Sequence, residues 1–461
     1  MKILKFGGSS LADTDRLARV VEIIKAQQEN EKTAVVVSAF GKVTDQLIAA
    51  ARQASEGNGH YVTIEQELEQ RHLQIIRKLI SSKHQSGIIT DMFATLNDLH
   101  DVLHGVYLVR EISPRVLDFV MSFGERLSAF ILSRVLNEQH IKSEFLDARK
   151  VIKSNERFGS ALVQMETTTR LIRKYFEQHK DLQVITGFIA STPQNETTTL
   201  GRSGSDFTAS IFGAALKARE IQIWTDVDGF LTADPRKVPQ AFTISSLSYD
   251  EAMELSHFGA HVVHPSTMQP ALDNKIPIRV KNTLNPAAPG TLIHQKSNGS
   301  GWLIKGLSSI DEVALISVIG SGMLGETGIA GRIFSALARN QINIILITQA
   351  SSEHSVCFAV RPEEAAAAKS ALEEALRLQL IERRVNKITV EKNLALIAVV
   401  GEHMRRTKGI AGRVFSALGD HDVNIVAIAQ GSSELNISMA VKKNELSRAL
   451  QAIHHNFFEK K

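Results

Sequence analysis

Apolar residues along this chain change their period several times, and the changes outline its elements. Ile3 to Phe6 is a short apolar run closed by Gly7-Gly8-Ser9-Ser10, after which Leu17, Val20, Val21 and Ile24 recur at helical spacing. That pattern predicts strand, glycine turn, helix. A second unbroken run at 33–38, around Val35-Val36-Val37, reads as a buried strand. From about Ile64 to Glu138 the spacing is mostly helical. Leu96, Leu99, Val102, Leu103 and Val106 share one face, and Phe130-Ile131-Leu132 falls inside a later helix. Further strands are predicted at 143–146, 183–189, 220–225 and 277–281. Strands without polar alternation, interleaved with helices, predict an α/β fold: a mostly parallel sheet covered by helices on both faces.

The pattern breaks between residues 283 and 301, where Pro286, Pro289 and Gly290 precede Ser297-Asn298-Gly299-Ser300-Gly301. Beyond this linker the chain repeats itself. Ala314–Gly320 matches Ala395–Gly401, the run from Gly328 to Leu337 matches that from Gly409 to Leu418, Asn343 matches Asn424, and Gln349 matches Gln430. The offset is a constant 81 residues (328 to 409). Each copy reads strand, loop, helix, strand, strand, helix, a small α+β unit with an antiparallel sheet. Two such units packed side by side would bring equivalent loops into a pseudo-symmetric site.

Composition narrows the classes. The chain has 461 residues, 43% hydrophobic and 22% charged, enough for several domains with sizeable cores. The formal charge is +4 and there is no basic block, so a nucleic-acid partner is not indicated. No apolar run reaches the length of a membrane span, and the amino end, broken by Lys5 and Gly7-Gly8, is not expected to be a signal peptide. The single cysteine, Cys357, excludes an internal disulfide and fits a reducing, cytoplasmic setting.

Several motifs carry possible chemistry. Glycines between a strand and a helix let the backbone approach a phosphate, and Lys5 can add a point charge; the alternative is a tight turn with an exposed lysine. Gly201-Arg202-Ser203-Gly204-Ser205-Asp206 is a second glycine turn before a helix. Arg202 suits a carboxylate. Asp206 either caps the helix or orients a lysine or a metal–phosphate group. Trp224-Thr225-Asp226-Val227-Asp228-Gly229 ends a strand, where ligands of parallel sheets bind. Glu125, within Phe123-Gly124-Glu125-Arg126 in an apolar helix, needs either an arginine or a ligand ammonium. Two patterns carry less. Gly320-Ser-Gly322-Met-Leu-Gly325 fits a dinucleotide fingerprint, but the second copy keeps only its first glycine. His257, His261 and His264 share a helical face without an accompanying metal motif, so no metal site is expected.

Taken together, Lys-Phe-Gly-Gly-Ser-Ser at the start, Phe-Gly-Glu-Arg at 123–126, Gly-Arg-Ser-Gly-Ser-Asp at 201–206, Trp-Thr-Asp-Val-Asp-Gly at 224–229 and Phe-Gly-Ala-x-Val-x-His-Pro at 258–265 resemble the aspartate kinases of the amino-acid kinase family. The tandem repeat resembles their paired ACT regulatory domains. The resemblance is nearest to the kinase half of bifunctional aspartate kinase–homoserine dehydrogenases; the chain ends where that dehydrogenase would begin, so a single activity is expected. It implies a catalytic domain at 1–296 and ACT domains, ferredoxin-like α+β units, at 312–390 and 391–461. It also implies ATP-dependent phosphorylation of the aspartate β-carboxylate, with Mg²⁺ arriving on ATP.

By the same resemblance, Lys5, Gly7, Gly8 and Ser9 hold phosphates, and Lys5 and Asp206 are the catalytic pair. Thr44, Glu125, Arg202, Ser203 and Ser205 bind aspartate, and Thr225, Asp226, Leu231, Arg236, His261 and Val262 line the ATP site. His261 stands where the family usually has lysine, and Leu231 where tyrosine is common. Gln349, Gln430, Asn343 and Asn424 are the expected effector positions, for threonine ahead of lysine. Pairing of ACT domains between chains implies a homodimer or homotetramer. The rival readings are a kinase acting on glutamate, acetylglutamate or carbamate, and a catalytically silent amino-acid sensor.

Overall fold

The computed structural model describes residues 1–259, 263–295, 302–323, 327–349 and 354–459. They divide into two compact units: Met1–Phe230, Ser245–Tyr249 and His261–Asn298 in the first, and Leu231–Ile244, Asp250–Ala260 and Gly299–Lys461 in the second. The chain therefore enters the second unit twice before the linker read from the sequence.

The first unit opens with β1 (Lys2–Phe6), α1 (Thr14–Asn30) and β2 (Thr33–Val37). The helical region resolves into α2 (Val43–Ser55), α3 (Tyr61–Leu79), α4 (Ser82–Val109) and α5 (Pro114–Glu138). Then come β3 (Ser143–Leu146), α6 (Met165–Gln178), β4 (Leu182–Thr186), β5 (Ile189–Ser191), β6 (Thr197–Thr199), α7 (Gly204–Leu216) and β7 (Glu220–Thr225). The last elements are β8 (Ser246–Ser248), α8 (Tyr249–His257, in the second unit from Asp250), α9 (Gln269–Asp273), β9 (Ile278–Asn282) and β10 (Thr291–His294).

Eight strands form one sheet in the order β3-β4-β2-β1-β7-β9-β10-β8, parallel at every pairing except β9 with β10. Every residue of β2 and β4 is buried. Successive side chains point to opposite faces, so both faces are covered, as the unbroken apolar runs predicted. Local signals set the helix starts: Asp13 caps α1 by accepting from Arg16 N at 2.8 Å, and Ser113 with Pro114 opens α5.

The strand expected at 183–189 is corrected to two. β4 ends at Thr186 because Gly187 passes so close to Val37 and Ser205 that a Cβ would sit 2.6 Å from Ser205. Phe188 then turns with φ 66, and β5 pairs with β6 as a separate hairpin.

In the second unit the repeat runs β11 (Gly306–Ile319), α10 (Ile329–Arg339), β12 (Leu346–Gln349), β13 (Ser355–Val360), α11 (Ala365–Ala375) and α12 (Arg377–Ile381). The second copy runs β14 (Lys387–Val400), α13 (Ile410–Gly419), β15 (Ala427–Ala429), β16 (Asn436–Lys442) and α14 (Leu446–Phe458). All six strands make one antiparallel sheet, β12-β13-β11-β14-β16-β15.

The two long strands exchange their opening halves. Gly306–Ile310 pairs with Val400–Leu396, and Lys387–Glu391 pairs with Ile319–Leu315, on either side of a register shift. The cores follow this exchange. Leu307 packs with Ile397, Val414 and Ile453 of the second copy, while Ile388 packs with Ile316, Ile333 and Phe358 of the first. Ala233 and Val238 also join the second copy's core, which explains why 231–244 belongs to this unit.

Candidate active site

The carboxyl ends of β1, β2, β4 and β7 in the first unit gather most of the predicted residues. Lys5 lies on β1, in register with Val36 on one side and Ile223 on the other. Its Nζ sits 2.6 Å from Asp206 Oδ1, and the two side chains are 11% and 8% exposed. Asp206 stands in the first turn of α7, where Ser203 (φ 55) occupies the cap position with no side-chain cap bond. Of its two sequence readings, capping falls away: the carboxylate is spent on the lysine.

The turn at Gly7-Gly8 is held by its neighbours. A Cβ on Gly7 would lie 3.4 Å from Lys5 Nζ, and one on Gly8 would lie 3.2 Å from Ala39 O. Ser10 Oγ donates to Trp224 O at 3.2 Å and pairs with Thr283 Oγ1 at 2.7 Å, tying the turn to the ends of β7 and β9. Arg16 Nη1 donates to Ser9 O at 2.7 Å. None of these contacts was read from the sequence, because Trp224, Thr283 and Arg16 lie beyond the turn itself.

On the β2 side, Ser38 Oγ donates to Ser205 Oγ at 3.0 Å, and Ala39 N donates to Glu125 Oε1 at 3.1 Å. Glu125 is 3% exposed, and among the described residues its Oε2 has no hydrogen-bond partner. Among the described residues no arginine pairs with it, which disfavours one of its two sequence readings. Burial pushes its carboxyl up to about 8, against the backbone N–H groups of Ala39 and of Glu125 itself, which favour the ion. A buried acid with one free oxygen is built to receive a cation or to stay protonated.

The other expected residues are less constrained. Thr44, in the first turn of α2, is half-buried; Arg202 is exposed. Thr225 Oγ1 donates to Asp226 Oδ1 at 3.2 Å at the end of β7. Leu231 and Arg236 belong to the second unit, where Arg236 forks onto Asp234 at 3.0 and 2.8 Å. His261 and Val262 lie outside the described residues, as does Gly325 of the fingerprint-like run. The helix expected to carry His257, His261 and His264 ends at His257, and Gly259 follows with φ +123. Among the described residues no three His, Cys, Asp or Glu side chains are grouped to hold a metal, and no helix is long and apolar enough to cross a membrane.

In the second unit, Asn343, Gln349, Asn424 and Gln430 are all exposed. Gln349 ends β12 and Gln430 directly follows β15. These two edge strands meet: Thr348 Oγ1 donates to Ile428 O at 2.8 Å.

Comparison with known proteins follows the same division. An amino acid kinase family model matches residues 1–282, and an ACT domain model matches 316–376 and 397–457. The chain belongs to the amino acid kinase family. The resemblance drawn from its motifs is thus borne out, together with the mostly parallel kinase sheet and the antiparallel ACT sheet.

The chain is 38% identical over 460 residues to bifunctional aspartokinase/homoserine dehydrogenase 1 of Zea mays, covering 98% of this chain and 50% of that protein. It is 32% identical to aspartokinase 2 of Arabidopsis thaliana, covering 99% of this chain and 84% of that one. The chain spans about half the length of the plant bifunctional relatives it matches. Aspartokinase III of E. coli superimposes over 100% of both chains at 30% identity. Its complex with aspartate and ADP (R-state) gives a TM-score of 0.83, and its complex with lysine and aspartate (T-state) gives 0.80.

Proposed function

We propose that this chain transfers the γ-phosphoryl group of ATP to the β-carboxylate of L-aspartate, giving 4-phospho-L-aspartate and ADP. The observation that carries the reading is the buried Lys5–Asp206 pair beside the Gly7-Gly8 turn, with the half-satisfied Glu125 reached from the same loops. The complexes of E. coli aspartokinase III with aspartate and ADP support the ligand classes.

A carboxylate with a pKa of about 3.9 is already ionised at neutral pH, so the reaction needs no general base. Its obstacle is the approach of two anions. A carboxylate oxygen of aspartate bonds to the γ-phosphorus as the bridging bond to ADP breaks, and the electron pair leaves on ADP. Lys5 and the N–H groups of Gly7, Gly8 and Ser9 offset charge on the phosphates, and Asp206 holds the lysine in place. Glu125 receives the ammonium of aspartate and Arg202 a carboxylate, with Thr44, Ser203 and Ser205 beside them. Thr225, Asp226, His261 and Val262 take the nucleotide. Mg²⁺ would enter on ATP, which would supply its phosphate ligands.

On this reading residues 1–296 are the catalytic domain, and 312–390 and 391–461 are ACT regulatory domains. The chain would work in the cytoplasm, as a homodimer or homotetramer, at the first step of lysine and threonine formation. Gln349, Gln430, Asn343 and Asn424 take an end-product amino acid, threonine ahead of lysine. Aspartyl hydroxamate formation tests the scheme. ATP-dependent hydroxamate from aspartate, suppressed by threonine, is the expected result. No signal above the ATP-free blank overturns the activity, and suppression by lysine alone reverses the choice of effector.

A further inference from the structure

α5 is buried along most of its length, yet it carries a polar stripe. Asp118, Ser122, Glu125 and Ser128 follow one another at intervals of about one turn, and none is more than 3% exposed. The stripe grips two different segments. At one end Ser128 Oγ donates to Ser38 O at 2.7 Å, and Glu125 accepts from Ala39 N. At the other, Asp118 Oδ2 accepts from Gly159 N and Thr199 N, each at 2.9 Å, and its Oδ1 accepts from Thr199 Oγ1 at 2.8 Å.

Thr199 is the last residue of β6 and lies three residues before Arg202. The turn between them is tight. Leu200 N donates to Phe188 O at 2.9 Å, Gly201 has φ +75, and Gly204 N donates back to Gly201 O at 3.0 Å. A Cβ on Gly201 would lie 3.4 Å from Gly159 O, so the loop that Asp118 holds also backs the turn. Asp118 and Glu125 are seven residues apart on one rigid helix, about 10 Å along its axis. Their separation does not vary with loop motion.

We propose that Asp118 is a positioning residue that sets the Arg202 turn at a fixed span from Glu125, making α5 the ruler by which a four-carbon amino dicarboxylate is selected over a five-carbon one. This rests on the roles given above to Glu125 and Arg202, and adds what sets the distance between them. Among the described contacts this carboxylate accepts all three bonds that join α5 to Gly159 and Thr199.

The test is kinetic and local. Asp118→Asn turns an amide NH₂ toward N–H donors, and Thr199→Val removes one link while leaving the backbone bond. Loss of one to two buried hydrogen bonds predicts a rise in aspartate KM of about tenfold or more for Asp118→Asn and about threefold for Thr199→Val. The KM for ATP stays within about twofold, and the preference for aspartate over glutamate narrows. Hydrogen exchange should speed up in 197–203 and not in 33–41. Equal rises in both KM values, or unchanged exchange in 197–203, overturn the proposal. If Asp118→Asn fails to fold, Thr199→Val decides alone. If the unmutated protein does not turn over aspartate, the functional reading fails first, and the exchange measurement still judges whether Asp118 holds the turn.

Discussion

The first unit buries four of its acid and lysine groups, and the second exposes the amides expected to meet an effector. Lys5, Asp118, Glu125 and Asp206 are each no more than 9% exposed, whereas Asn343, Gln349, Asn424 and Gln430 all face solvent. Burying a charge is costly unless it is paired, so the first group is retained against a folding penalty, and its geometry reports on function. An exposed amide costs little and reports almost nothing. The two regions therefore call for different perturbations. In the first, a substitution changes both the chemistry and the fold's electrostatics; in the second it can change ligand response alone.

The largest effect is expected at the buried pair. Lys5→Ala should lower kcat by two to three orders of magnitude or more, by analogy with removing one preorganised electrostatic donor. Asp206→Asn should also lower kcat, because the lysine loses the carboxylate that aims it. Steady-state kinetics with circular dichroism as a fold control reads both. Lys5→Ala with kcat within tenfold of the parent would make the buried pair structural and erase the contrast.

His72 offers a control in the same unit: a buried polar group outside the proposed site. It sits on α3, fully buried, 2.6 Å from Leu68 O through Nδ1, with its ring 5.4 Å from Phe40. Burial takes its pKa down to about 4. The folded protein then binds fewer protons than the unfolded chain between pH 6.5 and 4. Stability is full above pH 6.5 and falls as pH drops through that window, by on the order of 3 kcal/mol. Urea unfolding at pH 7 and pH 5, followed through Trp224 in a Trp302→Phe background, should lose part of its pH dependence in His72→Leu. An unaltered dependence would assign the acid sensitivity elsewhere.

What could be read in advance divides along similar physical lines. Lys5 and the glycine turn, and a Glu125 stranded among apolar neighbours, were legible because their signals are local. So was the 81-residue repeat, which needs only self-comparison. Asp118 was not legible: as an acid in the first turns of a helix it looks like a helix-dipole residue, and its partners lie 41 and 81 residues away. Nor was the exchange of half-strands, since Gly306-Leu-Ser-Ser-Ile and Lys387-Ile-Thr-Val-Glu are identical at no equivalent position. The early passage of 231–244 into the second unit rests on contacts far along the chain: Ala233 and Val238 in its core, Phe242 against Trp302 and Phe458, and Thr232 Oγ1 paired with His454 Nε2.

Glu125 sharpens the contrast through pH. With its folded carboxyl near 8, the ligand-free protein holds a proton there that the unfolded chain releases above about 4.5. Ligand-free stability therefore falls as pH rises from 4.5 to 8. Binding an ammonium requires the ionised form, so aspartate KM should fall as pH rises from 6 to 8 and level off above it. Glu125→Gln should flatten this profile and raise KM by about tenfold to a hundredfold, the range for a hydrogen bond to a charged group. A profile unchanged in Glu125→Gln would detach the buried acid from aspartate binding.

The smallest effect is expected on the exposed side, and it is the most discriminating. Gln349 and Gln430 end or follow equivalent strands, and those strands meet through Thr348 and Ile428. Because both amides face solvent, Gln349→Ala and Gln430→Ala should leave the unfolding midpoint and the uninhibited kcat unchanged. Each removes a single neutral hydrogen bond to an effector, which predicts a rise of about two- to tenfold in the effector concentration for half-inhibition. Pseudo-symmetry alone predicts equal shifts. The two surroundings are not equivalent, however: after β14 Glu251 accepts from Glu402 N at 2.8 Å, whereas among the described residues Ser321 N after β11 donates to Asn386 Oδ1 at 3.3 Å. The shifts from Gln349→Ala and Gln430→Ala should therefore differ. Equal shifts would make the repeats functionally interchangeable, and a change in uninhibited kcat would mean that the exposed amides are not purely regulatory.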